Sequence, residues 1–311
     1  MLVSSYQNGI TAGFAPPKRS HEWDTPRGVV GGWSADSVRR HTKWLYGVQL
    51  EGLTGVGISL TLTVRDLPPN PQEWAALRRA WWMRVQRFAP GIIRAHWVTE
   101  WQRRGVPHMH LAVFVEPGSM WDENVELLAW LWVAIAGKYG ADRMAQDATR
   151  LATAPAAPEA DAGQAERPDA GVTAERRGPA LSLAAVGWLK YLSKHASRGV
   201  HHYQRQGTPD GWEGRSGRLW GHWGGWPTGE PMRFELDRHA GYRLRRLVQA
   251  WRVADARAAG DWKRLAYARR MLKGSYDDGT AHRGVSDWIS EPMVLAMLAL
   301  MDDQGEGIEQ R

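Results

Sequence analysis

Apolar and hydroxyl residues alternate along 57–64, Gly57-Ile58-Ser59-Leu60-Thr61-Leu62-Thr63-Val64, a pattern that predicts a half-buried strand. Pro68, Pro69 and Pro71 end it. The period then changes: between Pro71 and Phe88, Trp74, Leu77, Trp81, Val85 and Phe88 recur at helical spacing, predicting an amphipathic helix with Arg78, Arg79 and Arg84 on its outer side. Residues 92–102 predict a second strand and 106–115 a third, joined through Arg103-Arg104-Gly105, where Gly105 suits a tight reversal. Centring this hairpin on Gly105 pairs residues whose numbers sum to 210, which sets Glu100 opposite His110 and Gln102 opposite His108. Glu100, His108 and His110 then share one face, while Trp97, Trp101, Met109, Leu111 and Val113 share the other. A one-residue slip would scatter the apolar set.

Further helices are predicted over 122–139, with Leu127, Leu128, Leu131 and Ile135 inward, and over 181–195, with Leu181, Ala185, Trp188, Leu189 and Leu192 as its buried stripe. Residues 232–236 predict a short strand, 241–273 are helical and basic, and 291–301 form an apolar, Met-rich helix too short to span a bilayer. Residues 1–40, rich in Gly, Pro, Ser and charge, read as an N-terminal arm. Residues 152–180, dominated by Ala, Pro, Glu, Asp and Gly, read as a flexible insert. The expected architecture is an α+β fold: a central antiparallel sheet with flanking helices over 41–239, followed by a basic helical region over 240–311.

Composition narrows the chemistry. A chain of 311 residues that is 43% hydrophobic can bury a substantial core. Forty Lys and Arg against 33 Asp and Glu give a formal charge of +7, which favours polyanionic partners. With no cysteine, disulfide frameworks and thiolate metal sites, zinc fingers included, are excluded. The N-terminal segment lacks the apolar run and cleavage site of a signal peptide, and no stretch of about 18 apolar residues occurs, so a cytoplasmic protein without a membrane partner is expected.

His108-Met109-His110 lies inside a predicted strand, so both imidazoles project to the same side. Such a pair also suits a wet sheet face with no ion. Glu100 alters the balance, because two imidazoles and one carboxylate form a three-ligand set with open positions, suited to Mg, Mn or Zn. On the 181–195 helix, Tyr191 lies off the buried stripe and Lys194 follows three residues later on nearly the same side, so a phenol and an ammonium can converge on one target.

The order of Ile58-Ser59-Leu60-Thr61-Leu62-Thr63, His108-Met109-His110 and Lys190-Tyr191-Leu192-Ser193-Lys194 resembles the three motifs of HUH endonucleases, specifically the rolling-circle replication initiators of plasmids and phages. Gly217-Arg218-Leu219-Trp220-Gly221 also looks like a segment seen after the tyrosine helix in phage-type initiators, and the resemblance covers about residues 45–235. It implies an HUH nuclease fold in which His108 and His110 ligate a divalent ion, Mg or Mn, with Glu100 completing the set. It implies that Tyr191 is the nucleophile and that Lys194 stabilises the phosphate or favours the phenolate. The product would be a 5′-phosphotyrosine adduct and a free 3′-hydroxyl for a host polymerase. The implied partners are single-stranded origin DNA, with or without a hairpin, and host helicase and polymerase in a bacterial cytoplasm. One departure stands out: two-tyrosine initiators carry Tyr-x-x-Lys-Tyr-x-x-Lys, and here Gly187 holds the first tyrosine position, where no glutamate stands either. A second cleavage would fall to another residue, to a second protomer, or to Tyr191 used twice.

The surroundings suit single-stranded DNA. Arg103 and Arg104 sit at the hairpin tip, and Lys190, Arg198, His201, His202, Arg205, Arg215 and Arg218 surround the tyrosine segment with Trp212, Trp220, Trp223 and Trp226 nearby. Arg103, Arg104, Lys190, Arg198 and Arg218 are the expected DNA contacts. The basic 241–273 region could grip duplex DNA or form a solvated helix pair. Two other readings stand beside the initiator: a relaxase or transposase with the same chemistry, and a non-catalytic DNA-binding regulator that needs neither ion nor Tyr191. Relaxases usually place the tyrosine before the histidine motif, which disfavours them here.

Overall fold

A computed structural model of the chain describes residues 1–13, 32–116, 121–150, 202–206, 209, 211–212, 217–274 and 284–311. The 152–180 insert and the predicted 181–195 helix, with Gly187, Lys190, Tyr191, Lys194 and Arg198, lie outside the described residues. The fold is α+β: two antiparallel five-stranded sheets and six α-helices among the described residues.

The first sheet comprises β3 (Val56–Thr63), β4 (Ile92–Trp101), β5 (Pro107–Val115), β6 (Asp147–Arg150) and β7 (Trp220–Gly224), in the order β6-β3-β5-β4-β7. The histidine strand is therefore the central one, with a hydrogen-bonded neighbour on each side. Its apolar face packs on α2 (Pro71–Phe88) and α3 (Trp121–Ala136), where Trp74, Leu77, Trp81, Leu128 and Trp132 meet Leu60, Leu62, Trp97, Met109, Leu111 and Val113. Asn70 caps α2 by accepting the Glu73 amide at 2.8 Å, and Pro71 follows where its missing N–H costs nothing. The buried indoles each find an acceptor: Trp74 donates to Thr99 Oγ1 at 3.1 Å, Trp81 to the Leu128 carbonyl at 3.0 Å and Trp132 to the Thr63 carbonyl at 2.8 Å.

Two residues of α2 depart from the expected stripe. Phe88, the last residue of the helix, is 52% exposed, with the Arg87 guanidinium 5.3 Å from its ring. Arg78, expected outside, is buried: its guanidinium lies 4.0 Å from the Trp97 ring centre and donates to Thr99 Oγ1 and to the Arg218 carbonyl at 3.1 and 3.0 Å. Burial pushes its pKa down to about 9, so it remains a cation at neutral pH.

The opposite face of the sheet carries Glu100, His108 and His110 at one end and Ala112, Phe114 and His96 at the other. Helix α1 (Ala35–Gly47), capped by Ser34, covers the second end: Leu45, Val48, Leu50 and Leu53 pack on Ala112 and Phe114. His41 of α1 reaches His96 with 3.0 Å between their Nε2 atoms, one ring donating and the other accepting.

The β4–β5 hairpin differs in register from the sequence-based expectation. Glu100 pairs with His108, and His110 pairs with Val98. The three-residue loop Arg103-Arg104-Gly105 is closed by Gln102 N–H to the Val106 carbonyl and Gly105 N–H to the Gln102 carbonyl, both 2.9 Å. Gly105, at φ +77°, takes the last position of that loop, not its centre. The resulting shift is two residues, so every side chain keeps the face it was assigned.

The second sheet was not anticipated. Residues 1–13, read as part of an arm, form β1 (Leu2–Tyr6) and β2 (Gly9–Gly13), which join β8 (Met232–Leu236), β9 (Val285–Asp287) and β10 (Ile308–Gln310) in the order β10-β8-β1-β2-β9. Helices α4 (Arg238–Ala258) and α6 (Glu291–Asp302) pack on it through Leu244, Val248, Val294, Leu298 and Met301, against Val3, Ile10, Ala12, Phe234 and Leu236. Helix α5 (Trp262–Gly274) lies against α4. The C-terminal region is thus mixed α and β, not helical alone. Among the described residues, no helix is long and apolar enough to cross a membrane.

Candidate functional site

Glu100, His108 and His110 each offer one ligand atom, and these atoms lie within 4.8 Å of one another; this is the one such cluster of three among the described residues. Strand alternation puts the two histidines on one face of β5, and the antiparallel register brings Glu100 of β4 beside them. The Nε2 atoms of His108 and His110 are 3.1 Å apart, and Glu100 Oε2 is 3.7 Å from His110 Nε2. Two donors about 2.1 Å from one ion at right angles would stand about 3 Å apart, so the imidazole pair fits a shared divalent ion.

The neighbours orient these donors. On β3, Thr61 pairs with His110 and Thr63 with His108. Thr61 Oγ1 lies 3.1 Å from His110 Nδ1, which engages that nitrogen and leaves Nε2 facing the cluster. Thr63 is held from three sides: its hydroxyl accepts from Gln102 Nε2, its amide donates to Gln146 Oε1 at 2.8 Å, and its carbonyl accepts from Trp132.

Glu100 is fully buried, as is the side chain of Arg205 beside it, with Nε 3.5 Å from Glu100 Oε1. Arg205 lies in the single turn Tyr203–Arg205 against β4, and its guanidinium is 4.2 Å from the Trp33 ring centre. Trp33 in turn donates to the Thr99 carbonyl at 3.0 Å. The carboxylate therefore presents one oxygen to the histidines and the other to a buried cation. Sequence reasoning placed Arg205 only among the general cations around the tyrosine segment, and it overlooked Trp33, His41 and His96. None of the four sits in a periodic pattern or beside a recognisable motif.

Of the expected DNA contacts, Arg103, Arg104 and Arg218 are exposed near this end of the sheet. Arg104 is also tied down, donating to Gln102 Oε1 at 2.8 Å and to the Val64 carbonyl at 2.7 Å. Trp212, grouped with the aromatic residues around the site, is fully buried, packs edge-on to Trp101 and donates to the Pro68 carbonyl at 2.9 Å, so it is core. Trp223 stacks on Trp82 with 4.9 Å between ring centres. His202 accepts the Gln204 amide and so caps the turn that carries Arg205.

Residues 57–152 match the family described as replication-associated protein of the ORF2 type. That segment runs from β3 to β6 and contains all three donor residues. A candidate replication protein of Xylella fastidiosa strain 9a5c is 42% identical over 315 residues, covering 99% of this chain and 98% of its own. A second, from strain Temecula1, is 43% identical over 295 residues, covering 92% and 98%. A replication-associated protein of Pseudomonas phage Pf3 is 35% identical over 312 residues, covering 97% and 98%. No solved structure matches the chain.

Proposed function

The chain belongs to the ORF2 family of replication-associated proteins, and on that premise we propose that it initiates rolling-circle replication by nicking and rejoining single-stranded DNA at an origin. The observation that carries this reading is the convergence of Glu100, His108 and His110 on one sheet face, in the order and spacing of an HUH endonuclease. In the proposed site these three side chains hold a divalent ion, Mg or Mn, which when bound would polarise the scissile phosphate and offset the charge that gathers during transfer.

The remaining steps belong to the chain's own residues. Thr61 holds the His110 ring with Nε2 forward, and Arg205 keeps Glu100 ionised and oriented inside the protein. Tyr191 loses its phenolic proton and its oxygen attacks the phosphorus, Lys194 steadying the phenolate or the phosphate. The bond to the 3′ oxygen breaks, that oxygen leaves as a hydroxyl, and the phosphate stays on Tyr191 as a 5′-phosphotyrosine. One ester is exchanged for another, so attack by a 3′-hydroxyl reverses the step and joins strands. Arg103, Arg104, Arg218, Lys190 and Arg198 pair with phosphates flanking the nick. The free 3′-hydroxyl serves a host polymerase, with a host helicase opening the duplex in the bacterial cytoplasm.

Homology to replication proteins along nearly the whole chain favours this reading over a relaxase or transposase. A regulator that only binds DNA would leave the converging donors without a use. The test is to incubate the protein with single-stranded origin oligonucleotides labelled on the 3′ fragment, with Mg or Mn, and to resolve the products on a denaturing gel. Label migrating with the protein is expected, abolished by Tyr191→Phe and by EDTA; an undiminished adduct in Tyr191→Phe would refute the assignment.

A further inference from the structure

The positive charge of this protein is carried by one pair of helices. Of the 40 Lys and Arg and 33 Asp and Glu in the chain, eleven and two fall within 238–274, so that segment nets +9 and the remaining 29 and 31 net −2. Part of that charge is neutralised locally, by Glu306 at Arg243, Asp287 at Arg252 and Asp255 at Arg264. Arg257, Lys263, Arg269 and Arg270 are exposed.

Helix α5 has an unusual composition for a solvated helix. It contains no acidic residue, so it has none of the i,i+4 ion pairs that normally support an exposed helix. Leu265 and Ala268 are buried, whereas Trp262 is 76% and Tyr267 55% exposed. Large aromatic side chains are seldom left so open without a partner. Arg270 lies 5.4 Å from the Tyr267 ring centre, so cation and aromatic face are presented together.

These features select an occupant. A second copy of the chain would bring +9 against +9. A membrane surface would need the apolar residues on one side, but Trp262 and Tyr267 are five positions apart and point about 140° from each other around the helix, with cations between them. Duplex DNA offers phosphates but hides its base faces within the stack. A single strand offers both phosphates and open base faces. We propose that the outer face of α4 and α5 is a second single-stranded DNA site, separate from the sheet that carries Glu100, His108 and His110. Arg257, Lys263, Arg269 and Arg270 pair with its phosphates while Trp262 and Tyr267 stack on its bases.

The test measures binding of a fluorescent thirty-nucleotide oligo(dT) to the full chain by anisotropy in EDTA, conditions in which failure to nick does not register. Trp262→Ala/Tyr267→Ala is expected to weaken binding about tenfold or more. Lys263→Gln/Arg269→Gln/Arg270→Gln is expected to reduce the slope of log affinity against log salt by about 2. All five side chains are exposed, so melting temperatures should match the unmodified protein. Unchanged oligo(dT) binding in both variants overturns the proposal. So does tighter binding of a thirty-base-pair duplex that ignores the aromatic variant, or aromatic-dependent binding to phosphatidylglycerol vesicles in preference to the oligonucleotide.

Discussion

Glu100 has two oxygens and two neighbours of different kinds: Oε2 stands 3.7 Å from His110 Nε2, and Oε1 stands 3.5 Å from Arg205 Nε. A carboxylate this deep in a protein persists as an anion only when a partner compensates for the water it has lost, and Arg205 does so without competing for the oxygen that faces the histidines. Arg205 is thus a positioning residue for the proposed metal. Calorimetric titration with Mn should show Arg205→Gln binding about 10- to 100-fold more weakly, with Arg205→Lys recovering part of the loss. His108→Ala should bind more weakly than Arg205→Gln. An Arg205→Gln affinity equal to that of the unmodified protein would remove Arg205 from the site. The three donors were legible in the sequence because a period of two assigns faces with no knowledge of the third dimension. Arg205 was not, because it reaches Glu100 from a single turn more than 100 residues along the chain.

The hairpin shows how far such legibility extends at the level of elements. Alternation gave the correct face for every residue of β4 and β5, yet the pairing was two residues off, because the glycine that marks a reversal need not lie at its centre. Nothing lies within 4 Å of where a Gly105 Cβ would stand, so Gly105→Ala meets no clash and pays only for φ +77°. Urea unfolding should show a loss of about 1 kcal/mol, and unchanged stability would mean that the loop adopts another turn. Leu111, on the central strand and fully buried, is a stronger test of packing: Leu111→Ala should cost about 2–5 kcal/mol, whereas the same change at Leu300, 48% exposed, should cost little. Helix α2 was readable from its apolar period and its Asn70-Pro71 start. Arg78 broke the reading because stacking on Trp97 and two hydrogen bonds let a cation occupy a core position. Strands β9 and β10, three residues each, are too short to show any period.

At the scale of the whole molecule, two sheets divide the work. One carries the metal donors, and the other ties the N-terminus to the C-terminal helices, with β1 paired to β8 across more than 220 residues. Such long-range pairing leaves no local mark, which is why the first thirteen residues read as an arm. Removing residues 2–13 takes two strands, one of them the middle strand, from the second sheet. Hydrogen exchange should then rise across 232–250 while 107–115 stays protected; equal exposure of both would show that the sheets unfold as one unit. Homology along the full chain indicates that the second sheet is part of the family's common architecture, not an addition peculiar to this protein. The central claim is that Glu100, His108 and His110 serve strand transfer to Tyr191. The most direct measurement is mass spectrometry of proteolytic peptides after reaction with a single-stranded origin oligonucleotide. The account predicts a 5′-linked nucleotide on Tyr191 that requires Mg or Mn and is missing from the His108→Ala/His110→Ala variant. A nucleotide on a different residue, or one that forms on Tyr191 equally well in EDTA, would contradict it.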